Sequence, residues 1–159
     1  TLVIEPKALY NNKVTDKIYS EYLLSNNNFI TQLKPKNRKP NATILTLGPE
    51  FDLLVANLEY LAKEYEIYVN IFSPINLNNI DTGILGTSVG EAGNNIIAFN
   101  NSLGYSSILD HWVSELLKVT KINNYKSTKM RNWIPTSKSE TNVLPNMEDL
   151  INIIESINE

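Results

Sequence analysis

Few side chains in this sequence could carry out chemistry, and His111 is the only histidine. It lies beside Asp110 and near Glu115, so it could act as a general base. However, it falls outside the helical repeat of the surrounding apolar residues, which favours a solvent-facing histidine. Ser106 and Ser107 lack a G-x-S-x-G motif and are predicted to cap a helix. Because the chain has no cysteine, a thiolate nucleophile, a thiolate metal site and a disulfide are excluded.

Gly48 precedes a predicted helix, where backbone N–H groups can bind a phosphate. Pro49 removes one of these donors, and the carboxylates of Glu50 and Asp52 would repel an anion. Neither G-x-G-x-x-G nor G-x-x-x-x-G-K-[ST] occurs in the chain. The pattern therefore argues against a phosphate site at this turn.

The best site candidate by position is the loop 100–105, with the sequence NNSLGY. It follows an uninterrupted apolar strand predicted at 96–99, and ligands of open α/β sheets bind outside the carboxyl ends of strands. An ordinary strand-to-helix connection explains the loop equally well. Glu5 and Lys7 could form an ion pair in a second site. Because they lie near the start of the chain, their original interaction partners could equally well be missing.

The stretch 43–81 predicts the unit that positions these residues, a strand, a helix and a strand. Residues 43–47 are rich in β-branched side chains, and 67–72 form the second strand. Strands joined by a helix of this length should be parallel, with a right-handed crossover. The helix between them begins at Gly48 and Pro49. Its apolar face consists of Leu54, Leu58, Leu61, Ala62 and Tyr65.

Three further helices follow from caps and apolar spacing. Asp81 is the predicted N-cap of a short helix weakened by glycines, and a turn at Asn94 and Asn95 leads into the strand 96–99. A helix over 105–118 has the stripe Ile108, Leu109, Trp112, Val113, Leu116 and Leu117. After an edge strand predicted at 129–134, a last helix begins at Asn146. Its stripe is Met147, Leu150, Ile151, Ile154 and Ile157.

Residues 11–41 differ in character, because asparagine, lysine and proline dominate them. We interpret this stretch as a linker that contains a short helix around 18–24. Its basic cluster predicts a solvated surface rather than a phosphate or nucleic-acid patch. The cluster consists of Lys34, Lys36, Arg38 and Lys39.

Composition indicates a globular α/β protein. The 159 residues suffice for one good core, and 42% of them are hydrophobic. The net charge of −3 argues against nucleic acid as the main partner. No apolar run approaches the roughly 20 residues of a membrane span.

Alternating strands and helices predict a three-layer α/β/α fold with a mostly parallel sheet. Because Thr1 opens a strand-like run, we expect the chain to begin within a longer protein.

Three stretches, taken in order, resemble one family. Ile4–Tyr10, IEPKALY, is similar to the E-x-K-x-L-Y segment that ends the pyrimidine-binding domain in beta subunits of thiamine-diphosphate-dependent 2-oxo-acid dehydrogenases. Ala42–Gly48, with the helix and strand that follow, resembles the opening of their C-terminal domain, shared with transketolases. Pro135–Asn146 resembles the closing P-x-S…E…LP pattern. The resemblance implies the tail of a preceding domain at 1–10, a linker at 11–41 and a transketolase C-terminal-like domain at 42–159.

The resemblance also implies a role without catalysis in this segment. Such enzymes oxidatively decarboxylate pyruvate or a branched-chain 2-oxo acid and transfer the acyl group to lipoyl groups. Thiamine diphosphate and magnesium are held by the pyrimidine-binding domain and the alpha subunit, so no catalytic residue and no cofactor are expected in this chain. The implied partners are an alpha subunit, a second beta subunit and the acyltransferase core. The compartment would be the cytoplasm in bacteria, and mitochondria or plastids in eukaryotes.

Two alternatives stay open at this point. One is a fragment of a transketolase or deoxyxylulose-phosphate synthase, and the other is a free-standing regulatory or nucleotide-binding α/β module. For a dehydrogenase beta subunit, apolar surface that the fold leaves exposed should serve a partner. We predict that interface at the loop 100–105 and at the end of the last helix. The residues assigned to it are Asn100, Leu103, Tyr105 and Ile157.

Overall fold

The computed structural model describes residues 18–26, 30–75, 80–100, 107–128 and 146–158. Within these residues strands and helices alternate after an initial hairpin. The elements are β1 Tyr22–Asn26, β2 Ile30–Pro35, β3 Ala42–Thr46, α1 Pro49–Tyr65, β4 Val69–Pro74, α2 Thr82–Glu91, β5 Asn95–Phe99, α3 Ile108–Leu116, β6 Asn124–Ser127 and α4 Met147–Asn158.

The strands form one sheet in the order β1-β2-β4-β3-β5-β6. β3 pairs in parallel with β4 and with β5, and β6 joins β5 in parallel. In this register, Ile44 lies between Ile71 and Ile97. β1 and β2 are antiparallel to their neighbours. The mostly parallel sheet predicted from the alternating pattern is confirmed.

Helices cover both faces of the sheet, which confirms the three-layer fold. On one face α1 and α4 pack on the strands through side chains that include Leu58 and Ile154. On the other face α2 and α3 bury Leu85 and Trp112 against Phe72. The central strand β3 is buried along its whole length, as expected for a strand covered on both sides.

The predicted cap residues lie at the helix starts, although α3 begins at Ile108 and not at position 105. Gly48 precedes α1 with a φ of 57°, which glycine adopts without strain, and Pro49 follows in the first turn. Asp81 accepts a hydrogen bond from the Ile84 N–H at 3.0 Å. Ser107 caps α3, since its hydroxyl accepts from the Asp110 N–H at 3.2 Å. Asn146 and Asp149 exchange the same kind of bonds at the start of α4.

The segment before the central unit differs from the prediction. The expected helix around 18–24 is wrong, because β1 begins at Tyr22 and pairs with β2 along its whole length. Residues assigned to the linker therefore extend the sheet by two strands. The side chains of Leu23 and Leu24 are 56% and 46% exposed. This edge strand therefore lacks the alternation of buried apolar and exposed polar residues by which a strand is predicted from a sequence.

Two further details differ from the sequence prediction. The strand beside β5 is β6, whereas the predicted edge strand 129–134 lies outside the described residues. Tyr65, Ile108 and Leu117 were assigned to apolar faces but are exposed. Each stands in the first or last turn of its helix or just beyond it.

Candidate functional site

Asn100 and Thr128 lie side by side at the carboxyl ends of β5 and β6. The Asn100 N–H donates to the Thr128 hydroxyl oxygen at 3.0 Å, and the Thr128 N–H donates to the carbonyl oxygen of Ala98 at 2.9 Å. Both side chains are buried, and Asn100 is 6% exposed. The bonds hold the end of β6 against the end of β5.

The end of β3 offers a second polar group at this edge. The Thr46 hydroxyl is completely buried and has no hydrogen-bond partner among the residues that the structure describes. Glu50, in the first turn of α1, is only 8% exposed, and this burial raises the pKa of its carboxyl group. An acidic group at the helix start, together with Pro49, makes the turn a poor phosphate site.

The predicted interface residues lie in different surroundings. Asn100 is buried, while Leu103 and Tyr105 lie outside the described part of the chain. Ile157 is partly buried and packs on the core between α1, α4 and the sheet. The docking role assigned to these four residues stays a prediction.

His111 is exposed on α3, as expected for a residue outside the apolar stripe. Its neighbour Asp110 caps the helix and accepts a hydrogen bond from the hydroxyl of Tyr125 in β6. Burial, followed by this bond to Asp110, raises the pKa of Tyr125. Glu115 is paired with Lys118 at 2.6 Å, which lowers the pKa of its carboxyl group. These contacts tie α3 to β6 and to its own last turn, and they do not form a base–nucleophile pair.

Ser88 is the centre of a buried polar cluster that the sequence did not indicate. Its carbonyl oxygen accepts from Thr43 Oγ1 at 3.0 Å and from Asn70 Nδ2 at 3.1 Å, and its hydroxyl accepts from Gln32 at 3.1 Å. The cluster joins α2 to β2, β3 and β4. In the sequence, this cluster is indicated by a single feature, the polar residue Asn70 within the apolar strand β4.

The basic residues of the predicted linker lie at the opposite edge, where the parallel strands begin. An open cleft of about 360 Å³ is lined there by Ser20, Glu21, Lys36, Asn37 and Arg38. The Lys36 ammonium donates to the carbonyl oxygen of Ser20 at 2.6 Å, and the Arg38 guanidinium lies 5.6 Å from the centre of the Tyr68 ring. Two of the basic side chains, Lys36 and Arg38, therefore already interact with other groups of the protein.

The described residues do not fit a thiamine diphosphate site. Among them no group of three His, Cys, Asp or Glu side chains could hold a metal ion. The glycine turn that precedes α1 presents the buried Glu50 carboxyl where a diphosphate would need N–H donors.

Within the described ranges, every helix is too short or too polar to span a lipid bilayer.

Comparison with solved structures identifies the fold. A split-gene transketolase, described as an inactive β4 tetramer, matches with a TM-score of 0.59 and 15% sequence identity. The match covers 76% of this chain and 39% of that chain. No protein-family model and no curated protein matches the sequence. The chain thus has a transketolase C-terminal-domain-like fold, and it spans well under half the length of the solved transketolase.

Proposed function

We propose that this chain is the C-terminal assembly domain of the beta subunit of a thiamine-diphosphate-dependent 2-oxo-acid dehydrogenase. The observation that carries the proposal is the transketolase-like fold, which covers 76% of the chain. The segment Ile4–Tyr10 and the closing pattern Pro135–Asn146 favour a dehydrogenase beta subunit over other proteins with this fold.

In this proposal the whole enzyme oxidatively decarboxylates pyruvate or a branched-chain 2-oxo acid and transfers the acyl group to lipoyl groups. Thiamine diphosphate and magnesium are bound by other parts of that enzyme. The domain supports assembly with an alpha subunit, a second beta subunit and the acyltransferase core.

A transketolase subunit is the second candidate. The solved neighbour is itself a split-gene transketolase, which favours this alternative over a regulatory module. The two candidates differ in the donor that the whole enzyme uses. A dehydrogenase oxidises a 2-oxo acid, whereas a transketolase moves a two-carbon ketol unit between sugars.

The test uses the natural full-length protein, tagged and purified from its own cells with its bound partners. The preparation is supplied with thiamine diphosphate, magnesium and an artificial electron acceptor, and then with pyruvate or branched-chain 2-oxo acids. We expect reduction of the acceptor with one of these acids. Ketol transfer between sugar phosphates without acceptor reduction would establish the second candidate and overturn the first.

A further inference from the structure

The open cleft of about 360 Å³ at the edge where the parallel strands begin has a distinctive lining. Two cationic side chains, Lys36 and Arg38, line it together with the polar side chains of Ser20 and Asn37. One carboxylate, that of Glu21, lines it as well. The cleft therefore combines hydrogen-bond donors of several kinds with an excess of positive charge.

The turn that carries both cations, residues 36–41 between β2 and β3, is attached to the rest of the protein at each end. We call it the basic turn. At its start, the Lys36 N–H donates to the carbonyl oxygen of Glu21 at 2.8 Å. At its end, the Asn41 N–H donates to the carbonyl oxygen of Tyr68 at 2.7 Å, and the Tyr68 N–H donates to the Asn41 side-chain oxygen at 2.9 Å. These bonds restrict the positions that the basic turn can adopt.

The charged ends of both cationic side chains are also held in place. The Lys36 ammonium donates to the carbonyl oxygen of Ser20 at 2.6 Å, which leaves its other N–H groups for a ligand. The Arg38 guanidinium lies over the Tyr68 ring, 5.6 Å from its centre, and Tyr68 packs against the core beneath α1 and α4. Because the ring attracts the guanidinium through its face, the N–H groups of Arg38 stay available to an acceptor.

Neither cation is neutralised by a carboxylate of the described residues. Lys34, in the preceding strand β2, forms an ion pair with Glu91 at 2.7 Å. The ion pairs among the described residues include neither Lys36 nor Arg38. Both side chains therefore keep their full charge although their positions are restricted. A ligand that binds them would immobilise little additional side-chain freedom.

We propose that this cleft binds a phosphate group, either free or as the monoester of a small molecule. The double charge of the group matches the two unpaired cations, and its oxygens accept strong hydrogen bonds from ammonium and guanidinium groups. The Ser20 hydroxyl and the Asn37 amide are further donors in the lining. A carboxylate ligand has one charge and two oxygens, so it would engage fewer of these donors.

The proposal goes beyond the proposed function and does not depend on it, because it rests on the cleft and the basic turn alone. From the sequence, the basic residues predict a solvated surface. The contacts that order Lys36 and Arg38 involve Ser20 and Tyr68, which are distant in the sequence and meet the basic turn only in the folded chain. These contacts distinguish the cleft from an ordinary solvated loop.

The test follows the amide resonances of the isotope-labelled 159-residue chain by NMR as phosphate is added. The titration is made at pH 8, where a phosphate monoester carries about two negative charges. Inorganic phosphate and glycerol phosphate distinguish the two sources, and sodium chloride at equal ionic strength controls for screening. We expect saturable shifts of Asn37 and Arg38 with at least one phosphate at millimolar concentration. No saturable shift, or shifts centred on Gly48 at the start of α1, would overturn the proposal.

Substitutions in the basic turn test the cleft against general attraction to positive charge. Lys36→Gln and Arg38→Gln should each weaken binding about fivefold or more, because each removes a charge-assisted hydrogen bond. Lys39→Gln is the matched control, since Lys39 belongs to the same turn but lines a separate cleft with Asn41 and Gly93. Its effect should stay below about twofold in buffer that screens exposed charges. Equal weakening by all three substitutions would contradict a site in this cleft.

The carboxylate of the cleft provides a test in the opposite direction. Glu21→Gln removes a negative charge that would repel a bound phosphate, so this variant should bind phosphate more tightly than the parent. The backbone carbonyl of Glu21, which accepts from the Lys36 N–H, is retained. Circular dichroism of each variant checks that the fold is unchanged. Equal or weaker binding by a folded Glu21→Gln variant would place the anion elsewhere and would overturn the proposal.

Discussion

The phenol oxygen of Tyr22 accepts a hydrogen bond from the backbone N–H of Val69 at 3.1 Å. Tyr22 begins β1 and Val69 begins β4, and β2 lies between these two strands in the sheet. The side chain therefore reaches past β2 to satisfy a buried donor. This bond attaches the edge hairpin to the parallel part of the sheet.

Tyr22→Phe should lower the free energy of unfolding by about 1–3 kcal/mol, because the Val69 N–H would lose its acceptor in a buried place. Urea denaturation measures this change. The substitution Tyr65→Phe removes an exposed hydroxyl and is the matched control, expected to change stability by less than about 0.5 kcal/mol. Equal effects of the two substitutions would mean that the Tyr22 bond contributes little.

The free energy of unfolding should also decline at alkaline pH, because the buried phenol of Tyr22 ionises there. Burial is the main cause that raises the pKa of Tyr22 from 10.0 to about 12. The folded state thus favours the neutral phenol, so this contribution is complete below pH 10 and is lost as the pH rises towards 12. Denaturation curves between pH 9 and pH 12 should show a decline that is smaller in the Tyr22→Phe variant.

Trp112 is 2% exposed in the core between α3 and the sheet. Trp112→Ala should cost roughly 3–5 kcal/mol of stability, because it leaves a large cavity. The adjacent His111 is exposed, and His111→Ala should stay within about 0.5 kcal/mol of the parent. Chemical denaturation of both variants measures the difference, and comparable losses would contradict this view of α3.

Two glycines of α2 should respond in opposite ways to alanine. A methyl group at Gly90 would meet no atom within 4 Å, so Gly90→Ala should stabilise the helix by about 0.5–1 kcal/mol. At Gly86 it would lie 2.5 Å from the Thr120 hydroxyl oxygen, and Gly86→Ala should destabilise the protein. Thermal unfolding distinguishes the two. Adding Thr120→Ala to Gly86→Ala should recover stability if the close contact is the cause.

Glu50 should make the protein less stable at neutral pH than an uncharged side chain would. Burial is the main cause that raises the pKa of its carboxyl group, so the folded state favours the protonated form. This contribution is present below the unfolded pKa and is lost as the pH rises through the folded pKa. Glu50→Gln should therefore be more stable than the parent at pH 7, with a smaller gain in acid. The exposed Asp52 is the control, since Asp52→Asn should give no such gain.

The 159-residue chain should not bind thiamine diphosphate. Pro49 lacks an N–H donor, and the carboxyl group of Glu50 is buried at the start of α1. Titration calorimetry with the cofactor and magnesium should show no heat of binding. Binding at micromolar concentration would contradict the division of labour in the proposed enzyme.

The central part of the fold could be predicted because local chemistry and burial agree there. The apolar positions of α1, from Leu54 to Ala62, repeat with helical spacing and are buried. Cap residues such as Asp81 and Ser107 act through bonds to backbone groups three residues away, so a short sequence is sufficient to indicate them. The resemblance to transketolase C-terminal domains predicted the fold that the structural comparison supports.

The sequence by itself thus determined the helices α1 to α4 with their cap residues, the apolar strands β3, β4 and β5, and the three-layer class. Only the tertiary structure decided the β1–β2 hairpin, the position of β6 and the cluster around Ser88. The physical reason is that β1 and β6 are held by backbone hydrogen bonds to a neighbouring strand, which leave no periodic apolar pattern. The Ser88 cluster likewise joins residues from four separate elements, such as Gln32 and Asn70, that meet only after folding.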